Sequence, residues 1–231
     1  MKPVWTLLVF IATMLRMAAA PSTVDERVTQ FGSAVKERLQ PFFAAAGVPY
    51  PPRSLAFIGL KQERALQVYA AGLDGKYHFI REYPVLAASG KAGPKLCRGD
   101  CQVPEGLYKI DLLNPNSKFH LSLRVDYPNA FDRAHGKLDG RADLGGDIMI
   151  HGNAVSIGCL AMGDQAAEDL FVLAALTGIK HIDVILAPMD FRKQPVPASA
   201  PEDPEWLAPL YREIKKGLDK YESPPADEAG P

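Results

Sequence analysis

Residues 145–164 read GGDIMIHGNAVSIGCLAMGD. The apolar run Ile148-Met149-Ile150 predicts a short buried strand that delivers His151. Eight residues on stands Cys159, inside Ser156-Ile157-Gly158-Cys159. A thiol becomes a strong nucleophile when it loses its proton, and an imidazole close by can take that proton. Cys159 is therefore the candidate nucleophile and His151 its base. Gly152 and Gly158 give the backbone freedom that a sharp turn or a close substrate approach requires. Backbone N–H groups near Gly158 and Cys159 are the expected oxyanion donors, and Ser156 is expected to hydrogen-bond within the loop. Asp147, four residues back along a strand, is too far to orient His151, so a backbone carbonyl is the expected partner. One histidine and one cysteine are too few for a tetrahedral zinc site, and no second pair completes one, so no metal and no cofactor is expected.

Upstream of this stretch the chain reads as strands. Leu55–Leu60, Ala65–Ala70 and Tyr77–Ile80 are apolar or alternating runs, separated by the polar turn Lys61–Arg64 and by Gly72-Leu73-Asp74-Gly75. That spacing predicts a meander of hairpins. Pro104 and Gly106 suit a tight turn feeding a strand at Leu107–Ile110, and Lys118–Val125 alternates like another. His78 falls within a strand and reads as structural. Asp126–Arg133 follows Lys118–Val125, and then the sequence reads as a polar, glycine-bearing loop to Gly146 that leaves His135 solvated. Downstream, Asp164 is placed to cap a helix ending near Thr177, and His181–Ala187 is a last strand stopped by Pro188.

The ends differ from the centre. Val28, Phe31, Val35, Leu39, Phe42 and Phe43 form one helical stripe, which Pro41 is expected to kink or end. Residues 192–204 read as a proline-rich linker, 206–221 as an amphipathic helix and 223–231 as a disordered tail. Residues 1–20 carry a positive start, an apolar core and Ala18-Ala19-Ala20, the pattern of a cleaved export signal, with an uncleaved anchor as the alternative. The expected organisation is signal 1–20, helical extension 21–50, central domain 51–190, and linker plus helix 191–231.

The chain of 231 residues carries a formal net charge of −1, so no basic field argues for nucleic acid. Of its three cysteines, Cys97 and Cys101 can close a small loop across Gly99 in an oxidising compartment and leave Cys159 free; the alternative is two free thiols.

The His-Gly and Ser-x-Gly-Cys elements, in this order and spacing, resemble the signature of the YkuD-type L,D-transpeptidase catalytic domain. Gly99-Asp100 followed by Pro104-Glu105-Gly106-x-Tyr108 resembles a second segment of that family. The Tyr127-Pro128-Asn129…Asp132 segment is similar to its YafK-like branch. The resemblance covers about residues 55–188. It implies a mainly β, sandwich-like catalytic domain with a helix after the cysteine and helices flanking it at both ends. It also implies a periplasmic enzyme that works through a cysteine thioester on peptidoglycan stem peptides, at meso-diaminopimelate. For the YafK-like branch it implies hydrolytic release of a peptidoglycan-attached lipoprotein. A cross-linking or protein-attaching L,D-transpeptidase and a non-catalytic cell-wall binding module are the alternatives. Stem peptides carry carboxylates, for which Arg133 and Arg141 are the candidate contacts. Many relatives carry Ser-His-Gly-Cys; here Ile157 replaces that histidine, which leaves His151 as the base.

Overall fold

The structure, a computed structural model, describes residues 20–198 and 200–225. The expected export signal falls almost wholly outside the described residues, as does most of the expected disordered tail.

The expected meander is present. β1 (Leu55–Leu60) pairs antiparallel with β2 (Ala65–Ala71), and β2 with β3 (Tyr77–Pro84). The last strand, β8 (Ile182–Ala187), lies parallel to β1 and joins it to β4 (Gly106–Ser117). β4 is longer than the sequence suggested because it serves two partners. Residues 106–109 pair with β8, and the remainder pairs with β5 (His120–Val125). Next to β5 comes β6 (Met149–His151), antiparallel, and then β7 (Leu160–Ala161), parallel to β6. The spatial order is β3-β2-β1-β8-β4-β5-β6-β7. The sheet curls until its ends meet: Leu86 N–H donates to Ala161 O at 2.9 Å, and Ala161 N–H donates to Ala87 O at 2.9 Å.

Both faces of the sheet are covered, which explains why β1 is buried at all six positions. Leu55 and Phe57 point into one core, and Ala56, Ile58 and Leu60 into the other, as the two-residue strand period requires. The first core is closed by α1 (Val24–Ala45) through Val35, Leu39 and Phe43, and by α3 (Asp164–Thr177) through Leu170, Phe171 and Leu173. The second is closed by α4 (Leu207–Leu218), whose Leu207, Leu210, Ile214 and Leu218 sit over β1 and β8. The terminal helices are thus part of the packed unit.

Three expectations are corrected. Pro41 does not break α1; it is exposed, so the Glu37 carbonyl that it leaves unpaired can be hydrated. The polar segment after Arg133 is no loop throughout: α2 (Ala130–Leu138) runs into it and starts on a capping box, with Asn129 Oδ1 accepting from Asp132 N–H and Asp132 Oδ2 from Asn129 N–H. His135 lies on this helix, its ring centroid 4.3 Å from Phe131 and 5.3 Å from Trp206. The cap of α3 is Gly163, at φ 78°; Asp164 is the first helical residue and accepts from Asn153 N–H at 2.8 Å.

Candidate active site

His151 ends β6 and Cys159 immediately precedes β7. In the parallel β6–β7 pair Ile150 faces Leu160 and His151 faces Ala161. Cys159 is two residues before Ala161, so its side chain leaves the same face as that of His151, offset diagonally. Both line an open cleft of about 460 Å³.

The histidine is held in one tautomer. Its Nδ1 lies 2.6 Å from the Gly152 carbonyl, which only accepts, so Nδ1 carries the proton and Nε2 keeps the lone pair. The backbone-carbonyl partner expected from the sequence is therefore Gly152 itself. Gly152 admits no side chain: a Cβ there would lie 2.6 Å from Asp164 Oδ1 and 2.7 Å from Phe119 O. Phe119, from the β4–β5 turn, covers the imidazole with ring centroids 4.8 Å apart. The next residue, His120, has φ 70° and places Nε2 3.0 Å from Glu168 of α3, which pins the turn from behind.

The thiol rests on backbone. Cys159 Sγ accepts from Met149 N–H at 3.4 Å and donates to Asp147 O at 3.6 Å. Asp147 turns that carbonyl inward by taking φ 54°, a left-handed conformation that Asp tolerates. Its side chain is 81% exposed, 3.7 Å from Arg124. Burial pushes the Cys159 thiol up from its ordinary value, against a smaller lowering by the Met149 N–H. Burial also pushes His151 down from 6.5, partly offset by the Gly152 carbonyl. Desolvation therefore favours the neutral form of both groups, and the thiol bonds to backbone.

Ser156 braces the loop, and more tightly than expected. Its Oγ accepts from Cys159 N–H at 2.9 Å and Gly158 N–H at 3.3 Å, and donates to Cys159 O at 2.6 Å. The two N–H groups expected to hold an oxyanion are therefore engaged in the resting site. Gly158 has φ 124°, beyond the range of most side-chain-bearing residues. Ile157, where many relatives carry histidine, is 86% exposed at the rim.

Arg133 and Arg141 do not line the cleft. Arg133 donates to the Pro128 carbonyl at the start of its own helix. Arg141 donates to Asp139 and to Leu96 O, and lies 5.5 Å over the Trp206 ring. The cations of the cleft are Lys95, Arg98 and Lys118. Lys95 is engaged by Asp100 and Arg98 by Asp143. The sequence reading missed these, and missed Asn114, Ser122 and Phe119, since only strand register brings them to the site. Cys97 and Cys101 are free, exposed thiols and not the disulfide considered from the sequence. Among the described residues, no group of three His, Cys, Asp or Glu side chains could hold a metal ion.

A curled, mainly β sheet that sets a histidine and a cysteine at neighbouring strand ends defines the L,D-transpeptidase type of catalytic domain. Residues 56–184 match the YkuD family, the L,D-transpeptidase catalytic domain, and the chain belongs to that family. It is 38% identical over 113 residues to YafK of Escherichia coli (strain K12), an L,D-transpeptidase by provisional designation, and equally to YafK of strain O157:H7. The match covers 48% of this chain and 43% of each relative, so the chain spans less than half the length of these proteins. Among solved structures, the helical cell shape determining protein Pgp2 of Campylobacter jejuni is similar at 19% identity, with a TM-score of 0.49 over 84% of this chain and 60% of that one. Bd1075 of Bdellovibrio bacteriovorus is similar at 19% identity and a TM-score of 0.41, over 73% and 55% of the two chains.

Proposed function

We propose that the protein is a periplasmic, cysteine-dependent peptidoglycan-modifying enzyme that hydrolyses an amide at meso-diaminopimelate and so releases an attached lipoprotein. The observation that carries this reading is the pairing of a thiol with a tautomer-fixed imidazole on one face of the β6–β7 pair, in one open cleft. Family membership supports the substrate class, and the pattern of residues 1–20 supports the location.

The chemistry follows from two neutral groups. As the substrate carbonyl approaches, His151 Nε2 takes the Cys159 proton and Sγ bonds to the carbonyl carbon. The tetrahedral intermediate collapses with loss of the C–N bond, and the imidazolium returns the proton to the leaving amine. A water molecule then gives a proton to His151 and adds to the thioester. The C–S bond breaks, and the thiolate recovers the proton. The net change is amide plus water to carboxylic acid plus amine. If a second amine replaces the water, the same thioester gives transpeptidation, the reading that the family's name favours.

The test uses lipoprotein-bearing sacculi with wild type, Cys159→Ala and His151→Ala, read by mass spectrometry. Wild type is expected to free the lipoprotein and Cys159→Ala to free none. New stem-peptide cross-links without release would replace hydrolysis by transpeptidation, and full release by Cys159→Ala would end the mechanism.

A further inference from the structure

A polar row crosses the sheet at the site. In register, Asn114 of β4 faces Ser122 of β5, and Ser122 faces His151 of β6. Paired residues project to the same face, so all three side chains look into the cleft, which they line. Lys118, in the β4–β5 turn, lines it too and is exposed. This side of the cleft is rich in donors and poor in acceptors. Asn114 Oδ1 accepts from Asn116 N–H at 3.0 Å, and among the described residues its Nδ2 has no acceptor. Among the described residues Ser122 Oγ has no side-chain partner and Lys118 Nζ has neither acceptor nor carboxylate. Lys95 and Arg98, by contrast, are already engaged.

We propose that Lys118, Asn114 and Ser122 form a carboxylate subsite that reads the distal carboxylate of the diamino acid whose proximal carbonyl Cys159 attacks. This rests on the functional reading above. Dimensions agree. Cys159 Sγ reaches β6, where it accepts from Met149 N–H, and Asn114 stands two strand spacings across and two residues along, roughly 11–12 Å away. A seven-carbon diamino diacid spans ~7.5 Å between its carboxyl carbons, from six zigzag C–C bonds. The S–C approach at the near end and a hydrogen bond at the far end make up the difference. The Lys118 ammonium can only donate, Asn114 Nδ2 donates and the Ser122 hydroxyl can turn to donate, a set whose positive charge favours a carboxylate over its neutral amide.

The experiment measures calorimetric binding of two stem peptides to Cys159→Ala protein: one with the distal carboxylate free, one with it amidated. The free acid is expected to bind on the order of tenfold tighter, as a charge-assisted hydrogen bond implies. In Cys159→Ala/Lys118→Ala the two peptides bind alike, and Lys118→Arg restores the preference. Equal binding of both peptides by the Cys159→Ala protein, a preference that survives Lys118→Ala, or binding of neither peptide overturns the proposal. Wild-type turnover separates the two ideas. Discrimination in binding without acyl transfer removes the functional reading and leaves the subsite; acyl transfer without discrimination does the reverse.

Discussion

At the level of single residues, the directions in which burial moves His151 and Cys159 set a pH profile. His151 acts as base only when unprotonated, and burial has moved its titration below 6.5. Activity is therefore expected to climb through a midpoint below 6.5 and then hold level, since burial delays ionisation of Cys159 beyond its ordinary range. Initial rates on a diaminopimelate peptide from pH 4 to 9 check this; a midpoint near 8 would signal a thiolate that must form first. His151→Ala is expected to lose about 10²–10⁴-fold, the usual worth of a positioned general base. Ser156→Ala removes three hydrogen bonds that hold the nucleophile's backbone. Losing them is expected to lower kcat more than KM, and steady-state kinetics would show the split. The His-Gly and Ser-x-Gly-Cys pattern was legible in the sequence because its parts lie within nine residues. The Phe119 cover over His151 was not, because a stacking contact between residues 32 positions apart leaves no local trace.

At the level of elements, the joint between α1 and α3 is ionic at its centre. Asp169 is fully buried and accepts from Arg38 Nη2 at 2.7 Å and from Tyr83 Oη at 3.0 Å, while Glu168 lies 3.2 Å from the same guanidinium. Arg38→Ala leaves that buried carboxylate with the Tyr83 hydroxyl and Arg81 at 4.0 Å, and is expected to cost on the order of 3 kcal/mol, measurable by urea unfolding. A loss under 0.5 kcal/mol would mean that the joint is held by Val35, Leu39 and Phe43 alone. Strands and terminal helices were legible, since their periods are strong and local. α2 was missed, although Asn129-x-x-Asp132 is a start signal. Its polar composition and Gly136 hid it; a Cβ at that glycine would lie 2.8 Å from the end of the Leu144 side chain, which would have to shift. The double pairing of β4 was invisible too: its second half has no periodicity of its own and is shaped by β5.

For the whole molecule, the C-terminal helix is a structural wall. Leu207, Leu210, Ile214 and Leu218 are buried at 5% exposure or less against β1 and β8. Their burial contributes roughly 6–12 kcal/mol, comparable with the entire stability of a domain this size. A chain ending at residue 200 is expected to be insoluble or unfolded. Cooperative melting of that truncation near the full-length temperature would show that the sheet needs only α1 and α3.

The meeting of the sheet's two ends has one more result. Ala161 is bonded through both its N–H and its carbonyl to Leu86 and Ala87, while β6 occupies the other flank of β7. The two-residue strand beside the nucleophile therefore presents no vacant ladder to an incoming chain, so neither strand-swapped oligomers nor fibrils can seed there. An extended peptide cannot lengthen the sheet at this point. It has to bind on the cleft face instead, where the side chains of the walls meet it.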